Sequence, residues 1–467
     1  MPPKYIEIGY KSDLMQACSA GNLDRVRELL AENPASLRQV CDTGDTVLHF
    51  TARGGSIAIV QLLLEQGAEL YAVNKSGETV FHTAAAFHHY DLVKYLLDKN
   101  YFTADSLTAG GQTESIEAHE TEIVFNKISH TALHIAAEKG YKDVAELLLE
   151  CGADINRKDA NGDTPLHYAA RNFDSEMIHF LVKHGADVNA RDHADVTPAA
   201  EALLNIPSDK KNPDLIYRTL LKYGAKTGRD VLFAAAAGSS REEIDRNLGL
   251  FGLLQEILEK HSFSADDLNT ALFFSVYETD YDGYPANTIK LLLKYGAKPV
   301  DKITVKGSEV NALKIAVIRG VLPCFRLLLK AGADVTVRDK QGNSLLMTAA
   351  KVENLRMLKV LHSEFGLPVD EVNSDGASPL LATFKEDLFR GIGPVEVVKY
   401  LLEHGADVNR RLAENGRTPL HLACMYNFFR ISKILLEYGA DKNMKDNGGK
   451  TPVELTESKT IRKLLET

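Results

Sequence analysis

One short motif returns along this chain at a fixed interval, and that periodicity constrains the fold more than any other feature. The segment HTALHIAA at residues 130–137 is followed thirty-three residues later by DTPLHYAA at residues 163–170. The same interval separates Thr46 from Thr79. A repeat of this length predicts a solenoid, in which each unit buries its apolar face against its neighbours instead of in one closed core.

A second motif keeps the same interval. The sequence GADIN at residues 152–156 is followed by GADVN at residues 185–189. Related Gly-Ala pairs begin at residues 67, 224, 296, 332, 405 and 439. Together the two motifs resemble the ankyrin repeat, whose hallmark is T-P-L-H-x-A, then a leucine-rich second helix, then G-A-D-x-N. The resemblance extends from about residue 12 to the C-terminus, and it implies a scaffold that binds other proteins.

The residues of one repeat explain its expected shape. Thr164 is placed to cap a helix, and Pro165 is tolerated in its first turn because a proline's missing N–H would be unpaired there anyway. The small Ala169 and Ala170 allow this first helix to pack closely. Gly185 ends the second helix, since glycine takes the left-handed conformation without a Cβ clash. The residues after it are expected to form a finger-like turn.

The sequence thus predicts an all-α ankyrin-repeat solenoid of about twelve to thirteen helix-turn-helix units with finger loops, wound into a curved superhelix. We divide the chain into an N-terminal extension (1–11), N-terminal repeats (12–100), an acidic insertion loop (101–128), central repeats (129–230), degenerate expanded repeats (231–309), C-terminal repeats (310–448) and a C-terminal capping repeat (449–467).

The irregular segments are the places where function would be added to a regular scaffold. The insertion at 101–128 carries four glutamates and is either a solvated loop or a specificity loop that contacts a partner. Further stretched segments at 205–213, 239–249 and 277–285 are expected to alter the curvature. Asp280-Tyr281-Asp282-Gly283 lacks the downstream glutamate of a calcium loop, which favours a tight acidic turn.

Charge and cysteine usage exclude several classes of function. The chain of 467 residues has a net charge of −10 and no long run of lysine or arginine, so we expect no nucleic-acid binding. The five cysteines contain no CxxC pair, which supports neither a zinc site nor a disulfide framework and fits a reducing compartment. We expect Cys151 and Cys424 to be buried or half-buried in helices. No stretch approaches eighteen apolar residues, so membrane insertion is not expected.

The fifteen histidines raise the question of catalysis. Five occupy the T-x-L-H position, where the resemblance implies a structural hydrogen-bonding role: His49, His82, His134, His167 and His421. We interpret His88 and His89 as surface residues. No nucleophile elbow, HExxH, P-loop or kinase signature is present, and Gly391-Ile392-Gly393-Pro394 is best read as a loop. The sequence therefore predicts no enzyme, no catalytic residue, no metal site and no cofactor.

Partner binding is expected on the concave face formed by the fingers and first helices. Finger tips and positions near the end of the first helix are taken to be exposed and free of structural constraint, and their aromatic and arginine side chains are candidate anchors. The candidates are Tyr71, Phe87, His88, Tyr168, Arg171, Asn172, Arg191, Met425 and Tyr426. The family resemblance also makes Asn156, Asn189 and Asn409 candidate sites of asparaginyl hydroxylation, although ordering of the finger turn explains them equally.

The leading function is a cytoplasmic scaffold or adaptor, monomeric on its own, that captures a protein or an extended peptide. One alternative is a regulator that masks an enzyme or a transcription factor. A second is a secreted bacterial effector that acts on a host protein in the host cytosol. An enzyme with a cryptic site among the degenerate repeats is the remaining alternative. The sequence names neither the partner nor the source.

Overall fold

The computed structural model describes seven stretches of the chain with their side chains: residues 11–108, 129–204, 214–238, 250–277, 286–300, 311–384 and 394–466. It also describes the backbone of residues 6–7, 239–245, 249, 303–305 and 308–310. The chain divides into two compact units, Met1–Ala234 and Ala235–Thr467. Most of the predicted insertion (109–128), two stretched segments (205–213 and 278–285) and Gly391-Ile392-Gly393 lie outside the described residues.

Short helices follow one another in pairs along the described chain. The first twelve are α1 (Asp13–Ser19), α2 (Leu23–Glu32), α3 (Val47–Gly54), α4 (Ile57–Glu65), α5 (Val80–Ala86), α6 (Tyr90–Asp98), α7 (Ala132–Lys139), α8 (Lys142–Glu150), α9 (Pro165–Arg171), α10 (Ser175–Lys183), α11 (Pro198–Leu204) and α12 (Leu215–Lys222). A 3₁₀ helix, Pro34–Arg38, follows α2.

The helices from residue 229 onward repeat the same pattern. They are α13 (Arg229–Asp245), α14 (Gly249–Lys260), α15 (Ala265–Tyr277), α16 (Ala286–Lys294), α17 (Ala312–Arg319), α18 (Leu322–Lys330), α19 (Leu345–Lys351), α20 (Leu355–Ser363), α21 (Pro379–Ala382), α22 (Val395–Glu403), α23 (Pro419–Met425), α24 (Phe429–Glu437) and α25 (Lys459–Glu466). A 3₁₀ helix, Pro452–Leu455, precedes α25. Counted over the described residues, twelve α-helical pairs and this final pair confirm the predicted number of repeats.

Specific residues set the start of the first helix of each repeat and the turn between its two helices. Threonine or serine side chains cap most of the first helices, as at Thr164, and the proline that follows occupies the first helical position. A left-handed residue links the first helix to the second. This residue is glycine at Gly55 and Gly140, with φ of 72° and 75°, but it is Phe173 and Glu353 in other repeats, with φ of 58° at both.

First helices pack against first helices of the next repeat, and second helices against second helices. In the first unit α3, α5, α7 and α9 form such a row, and in the second unit α15, α17 and α19 do. The alanine pairs predicted to permit close packing, such as Ala136-Ala137 and Ala169-Ala170, are fully buried. Removing these small apolar surfaces from water between repeats is the main stabilising term.

Two short strand pairs accompany the helices. The strand β1 (Ile6–Glu7) of the N-terminal extension pairs in parallel with β2 (Gln39–Val40) of the first repeat. The strands β3 (Ile303–Val305) and β4 (Ser308–Val310) form an antiparallel hairpin before α17. The backbone of the segment at 239–249, predicted to be stretched, is helical through Asp245. The all-α fold class is confirmed, with these strands as small additions.

Candidate functional site

The five histidines of the T-x-L-H motifs join neighbouring repeats. In the repeat of His134, the backbone N–H of Thr131 donates to Nδ1 at 3.1 Å, so this nitrogen carries no proton. The opposite nitrogen, Nε2, therefore carries it and donates to the carbonyl oxygen of Asp163 at 3.1 Å, in the next repeat. The same pattern recurs at His49, His82, His167 and His421. Their predicted structural role is confirmed.

Burial keeps these histidines neutral. It lowers the pKa of His82 and of His134 to about 4, although the carbonyl that each ring bonds favours the charged form. The pKa of His49, His167 and His421 is lowered for the same first reason. Because both ring nitrogens are hydrogen-bonded and the rings are fully buried, these residues are unsuited to bind a metal or to transfer protons with solvent.

Two repeats without this histidine satisfy the capping hydroxyl with a carboxylate from further along the chain. Thr197 is followed by alanine at the histidine position, and its hydroxyl donates instead to Asp230 Oδ2 at 2.6 Å. The hydroxyl of Ser344 donates in the same way to Glu371. Asp230 lies in the first turn of α13, and Glu371 lies in the segment that precedes α21. Sequence reasoning missed these pairs, because partners 33 and 27 residues apart show no local signal.

The three asparagines proposed for hydroxylation form a ladder between fingers. Asn189 Nδ2 donates to the carbonyl of Gly224 at 3.2 Å, and its Oδ1 accepts the N–H of Lys226 at 2.8 Å. Asn156 and Asn409 make the equivalent pair of bonds to the next repeat. Each amide is therefore held on both sides, which supports the interpretation that these residues order the finger turns.

The start of the predicted insertion belongs to this ladder. Asp105 accepts the N–H of Asp154 at 3.0 Å, in the manner of the asparagines. Ser106 supplies the carbonyl that His82 bonds, and Leu107 forms a β-bridge with Thr131. Residues 101–108 therefore form the finger of the third repeat. The four glutamates of the insertion lie beyond it, outside the described residues.

Three predicted partner residues form hydrogen bonds or ion pairs with other residues of the chain. Tyr168 is 9% exposed and donates to Asp159 Oδ2 at 2.8 Å, so the expectation that it is exposed is wrong. The guanidinium of Arg171 pairs with the buried Asp163 at 2.9 Å and with the buried Glu201 of the next repeat. Arg191 lies 3.2 Å from Asp195 and 3.6 Å from Asp230. The last two side chains bridge repeats.

His88 is exposed, as predicted, and His89 is half-buried; the two side chains also connect the third repeat to its two neighbours. His88 Nε2 lies 2.7 Å from Asp143 Oδ1 of the next repeat, and its ring stacks on Tyr141 at 4.1 Å. The Nε2–H of His89 donates to the carbonyl of Arg53 in the preceding repeat at 2.8 Å. A sequence pattern shows neither contact, because both depend on the stacking of repeats.

Three further predicted partner residues lie at the end of first helices. The Asn172 amide donates to the carbonyl of Glu138 in the preceding repeat. Met425 is half-buried, and its sulfur accepts from Arg417 Nη1 at 3.2 Å. Tyr426 is half-buried beside Phe428, with ring centroids 5.9 Å apart. These positions remain predictions as partner contacts, although each is partly used by the fold.

Tyr71 and Phe87 are well exposed, as predicted. Tyr71 is 60% exposed on the finger between α4 and α5, and Phe87 is 49% exposed at the end of α5. Two neighbours that sequence reasoning missed join them: Val73 on the same finger, 44% exposed, and Leu107 on the next finger, 40% exposed. We call these four residues the apolar face of repeats 2 and 3. The helix α5, which separates the finger from Phe87, has seven residues and is therefore about 10 Å long.

A recess of 360 Å³ opens between these two fingers. It is lined by Tyr71, Thr79, His82, Asn100, Tyr101, Phe102, Thr103, Ser106 and Leu107. The Phe102 ring stacks on the buried Phe81 at 5.1 Å and meets the edge of Tyr71 at 5.4 Å. The aromatic wall is therefore anchored in the core and open at Tyr71.

Among the residues that the structure describes, no three His, Cys, Asp or Glu side chains are grouped as metal ligands would be. Over the same residues, no helix is long and apolar enough to cross a bilayer. Cys424 is buried as predicted, whereas Cys151 is exposed at the end of α8, so the expectation for that residue is wrong.

Comparison with known proteins identifies the repeats. The profile of the family "Ankyrin repeats (3 copies)" matches residues 14–106, 113–192, 272–373, 313–411 and 346–446. These overlapping matches cover well over half of the chain.

Individual relatives share only part of this chain. The nuclear factor NF-kappa-B p105 subunit of Gallus gallus is 32% identical over 155 residues, which are 32% of this chain and 15% of that protein. Ankyrin repeat domain-containing protein 40 of Homo sapiens is 40% identical over 74 residues, 16% of this chain and 20% of that protein. The chain thus spans a fifth or less of these relatives.

A solved structure that matches part of this chain is a complex of a predatory endopeptidase from Bdellovibrio bacteriovorus with an immunity protein. The match has 27% identity and a TM-score of 0.35, and it covers 46% of this chain and 99% of the matched chain. Similarity at that TM-score supports no argument about function.

Proposed function

The chain belongs to the ankyrin-repeat family, a protein–protein interaction module, and from that premise we propose that it is a non-enzymatic adaptor. It captures a partner protein or an extended peptide along its fingers and first helices. The apolar face of repeats 2 and 3 is the part of that surface on which binding depends most. We propose that the four residues of this face, together with the half-exposed Phe102, form the central contact.

The observation that carries the proposal is the number of exposed large apolar side chains on two adjacent repeats, two of which, Tyr71 and Leu107, line one recess. Among the described residues of the first unit, the large apolar side chains exposed by more than a third are the four of this face and two leucines of α12. Fingers elsewhere in this unit expose mainly polar and charged residues. Exposed apolar side chains grouped on neighbouring repeats mark interaction sites, and burying such a side chain stabilises a complex by about 1–3 kcal/mol.

The surrounding contacts explain why this face is ready to bind. Phe102 is fixed between Phe81 and Tyr71, and Arg53 packs over Phe87 with its guanidinium 5.6 Å from the ring centre. Arg53 is itself held by the buried Asp45 at 2.6 Å. Side chains fixed before binding lose little conformational entropy on association, which favours affinity.

The test compares two variants of the tagged full chain in affinity purification with quantitative mass spectrometry. The first replaces Tyr71, Val73, Phe87 and Leu107 by serine. The matched control replaces the exposed Leu215 and Leu221 of α12 by serine. We expect partners retained by the wild type and the control to be lost from the first variant, with unchanged circular dichroism for all three. Equal recovery by both variants would refute the proposal.

We also propose a reducing compartment, the cytoplasm, as the location. Cys18, Cys41, Cys324 and Cys424 are buried free thiols, and Cys151 is an exposed one. Burial raises the pKa of Cys18 to about 11 and that of Cys424 to about 12, so these two stay protonated at neutral pH. Inert core thiols support intracellular residence, and fractionation of cells that express the chain would test it.

A further inference from the structure

We infer that the recess between the fingers of repeats 2 and 3 binds the cationic side chain of an arginine or lysine presented by an extended peptide. The inference rests on the proposed function, because it assigns a chemical class to the partner at the same face. It follows from three observations: the open aromatic wall of the recess, the behaviour of other aromatic rings in the chain, and the charge of the two fingers.

The recess presents aromatic rings to whatever enters it. Tyr71, Tyr101 and Phe102 are three of its nine lining residues. Tyr71 is 60% exposed and Phe102 is half-exposed. The volume of 360 Å³ lies at the lower end of the range for ligand pockets, about 300–1,000 Å³, which suits a single side chain. Aromatic faces attract cations through their quadrupole.

Several other aromatic rings of this chain have an arginine of the chain over their face. Arg53 lies over Phe87 at 5.6 Å, Arg171 over Tyr168 at 5.1 Å and Arg319 over Tyr277 at 5.6 Å. Within the part of the chain that the structure describes, no lysine or arginine lies over Tyr71 or Phe102. Because Phe102 is packed between Phe81 and Tyr71, the exposed ring of Tyr71 is the place on this face where a cation from another molecule can take the position that an internal arginine takes elsewhere.

The charge of the two fingers selects a cation over an anion. Residues 69–78 and 100–108 contain three carboxylates, Glu69, Glu78 and Asp105, and one lysine, Lys75. The whole chain carries a net charge of −10. Asn100 and Thr103 add side-chain oxygens at the wall of the recess, and these can accept hydrogen bonds from a guanidinium.

The experiment uses fluorescein-labelled nine-residue peptide pools with one fixed central residue and mixed neighbours, titrated with the full chain by fluorescence anisotropy. The fixed residue is Arg, Lys, norleucine or Glu. We expect the Arg pool to bind about tenfold more tightly than the norleucine pool, and the Glu pool to bind least. Tyr71→Ala should remove this preference, whereas Tyr71→Phe should keep it because the ring remains.

A norleucine pool that binds as tightly as the Arg pool would overturn the inference, as would an Arg preference that survives in Tyr71→Ala. Absence of binding by every pool would overturn it too. The proposed function is judged separately, by the affinity purification with the four-serine variant. If the four-serine variant loses its partners but the peptide pools show no preference for a cation, the adaptor function is supported and only the assignment of its ligand is refuted.

Discussion

Acid should destabilise the repeats through their buried histidines, and His134 offers the sharpest case. Burial lowers the pKa of this imidazole from 6.5 to about 4 in the folded protein. Between those two values the unfolded chain binds more protons than the folded one. Stability therefore falls as the pH drops through this window, and the full contribution is present above pH 6.5.

The size of this loss in the free energy of unfolding follows from the two pKa values of His134. Each unit of pKa difference is worth about 1.4 kcal/mol, so His134 alone accounts for about 3 kcal/mol at the acid limit. Between pH 7 and pH 5 it accounts for about 2 kcal/mol. Replacement by glutamine keeps an acceptor for the N–H of Thr131 but cannot be protonated in this range. The replacement weakens the hydrogen bond to the carbonyl of Asp163, which lowers the free energy of unfolding by about 1 kcal/mol at pH 7.

The variant should therefore be less stable than the wild type at pH 7 and more stable at pH 5. Hydrogen–deuterium exchange of peptides that cover α7 and α9, corrected for the intrinsic pH dependence, measures the local opening free energy at both values. His261→Gln, on an exposed histidine, is the control. Equal losses of protection between pH 7 and pH 5 in the wild type and in His134→Gln would refute the reasoning.

Three further predictions follow from the same scaffold. Asp230→Ala leaves the buried hydroxyl of Thr197 without its acceptor, so we expect about 2 kcal/mol less protection of α11 in hydrogen exchange, whereas Glu146→Ala on exposed surface should change nothing. Glu353→Asn relieves a left-handed backbone at φ 58° and should raise the free energy of unfolding by about 0.5–1 kcal/mol in urea titrations; a lower value would contradict the strain. Because the Asn189 amide is bonded on both sides, intact-mass analysis after incubation with an asparaginyl hydroxylase should show no added oxygen, and a gain of one oxygen would contradict this.

The sequence determined the architecture of this protein because the information for it is local. A capping threonine and a glycine after the second helix act within a few residues, as does the Nδ1 atom of the histidine three residues after the threonine, and their fixed spacing predicts the repeat. The number of repeats, the buried alanine pairs and the structural role of the T-x-L-H histidines all follow from that spacing. The family follows from the same motifs.

The tertiary structure decided which of the candidate surface residues are free. Tyr168 and Tyr71 are both candidates for partner contact by sequence, yet one is buried against Asp159 and the other is exposed beside a recess. Asp159 lies nine residues before Tyr168, on the finger that folds back against α9, whereas Arg171 is held by Glu201 of the next repeat, thirty residues away.

Two other contacts also join distant parts of the chain. Asp230 accepts the hydrogen bond of the Thr197 hydroxyl, a role that a histidine has in other repeats, and Asp105 accepts the N–H of Asp154. Local patterns specify each repeat, and the contacts between repeats determine which side chains remain available to a partner.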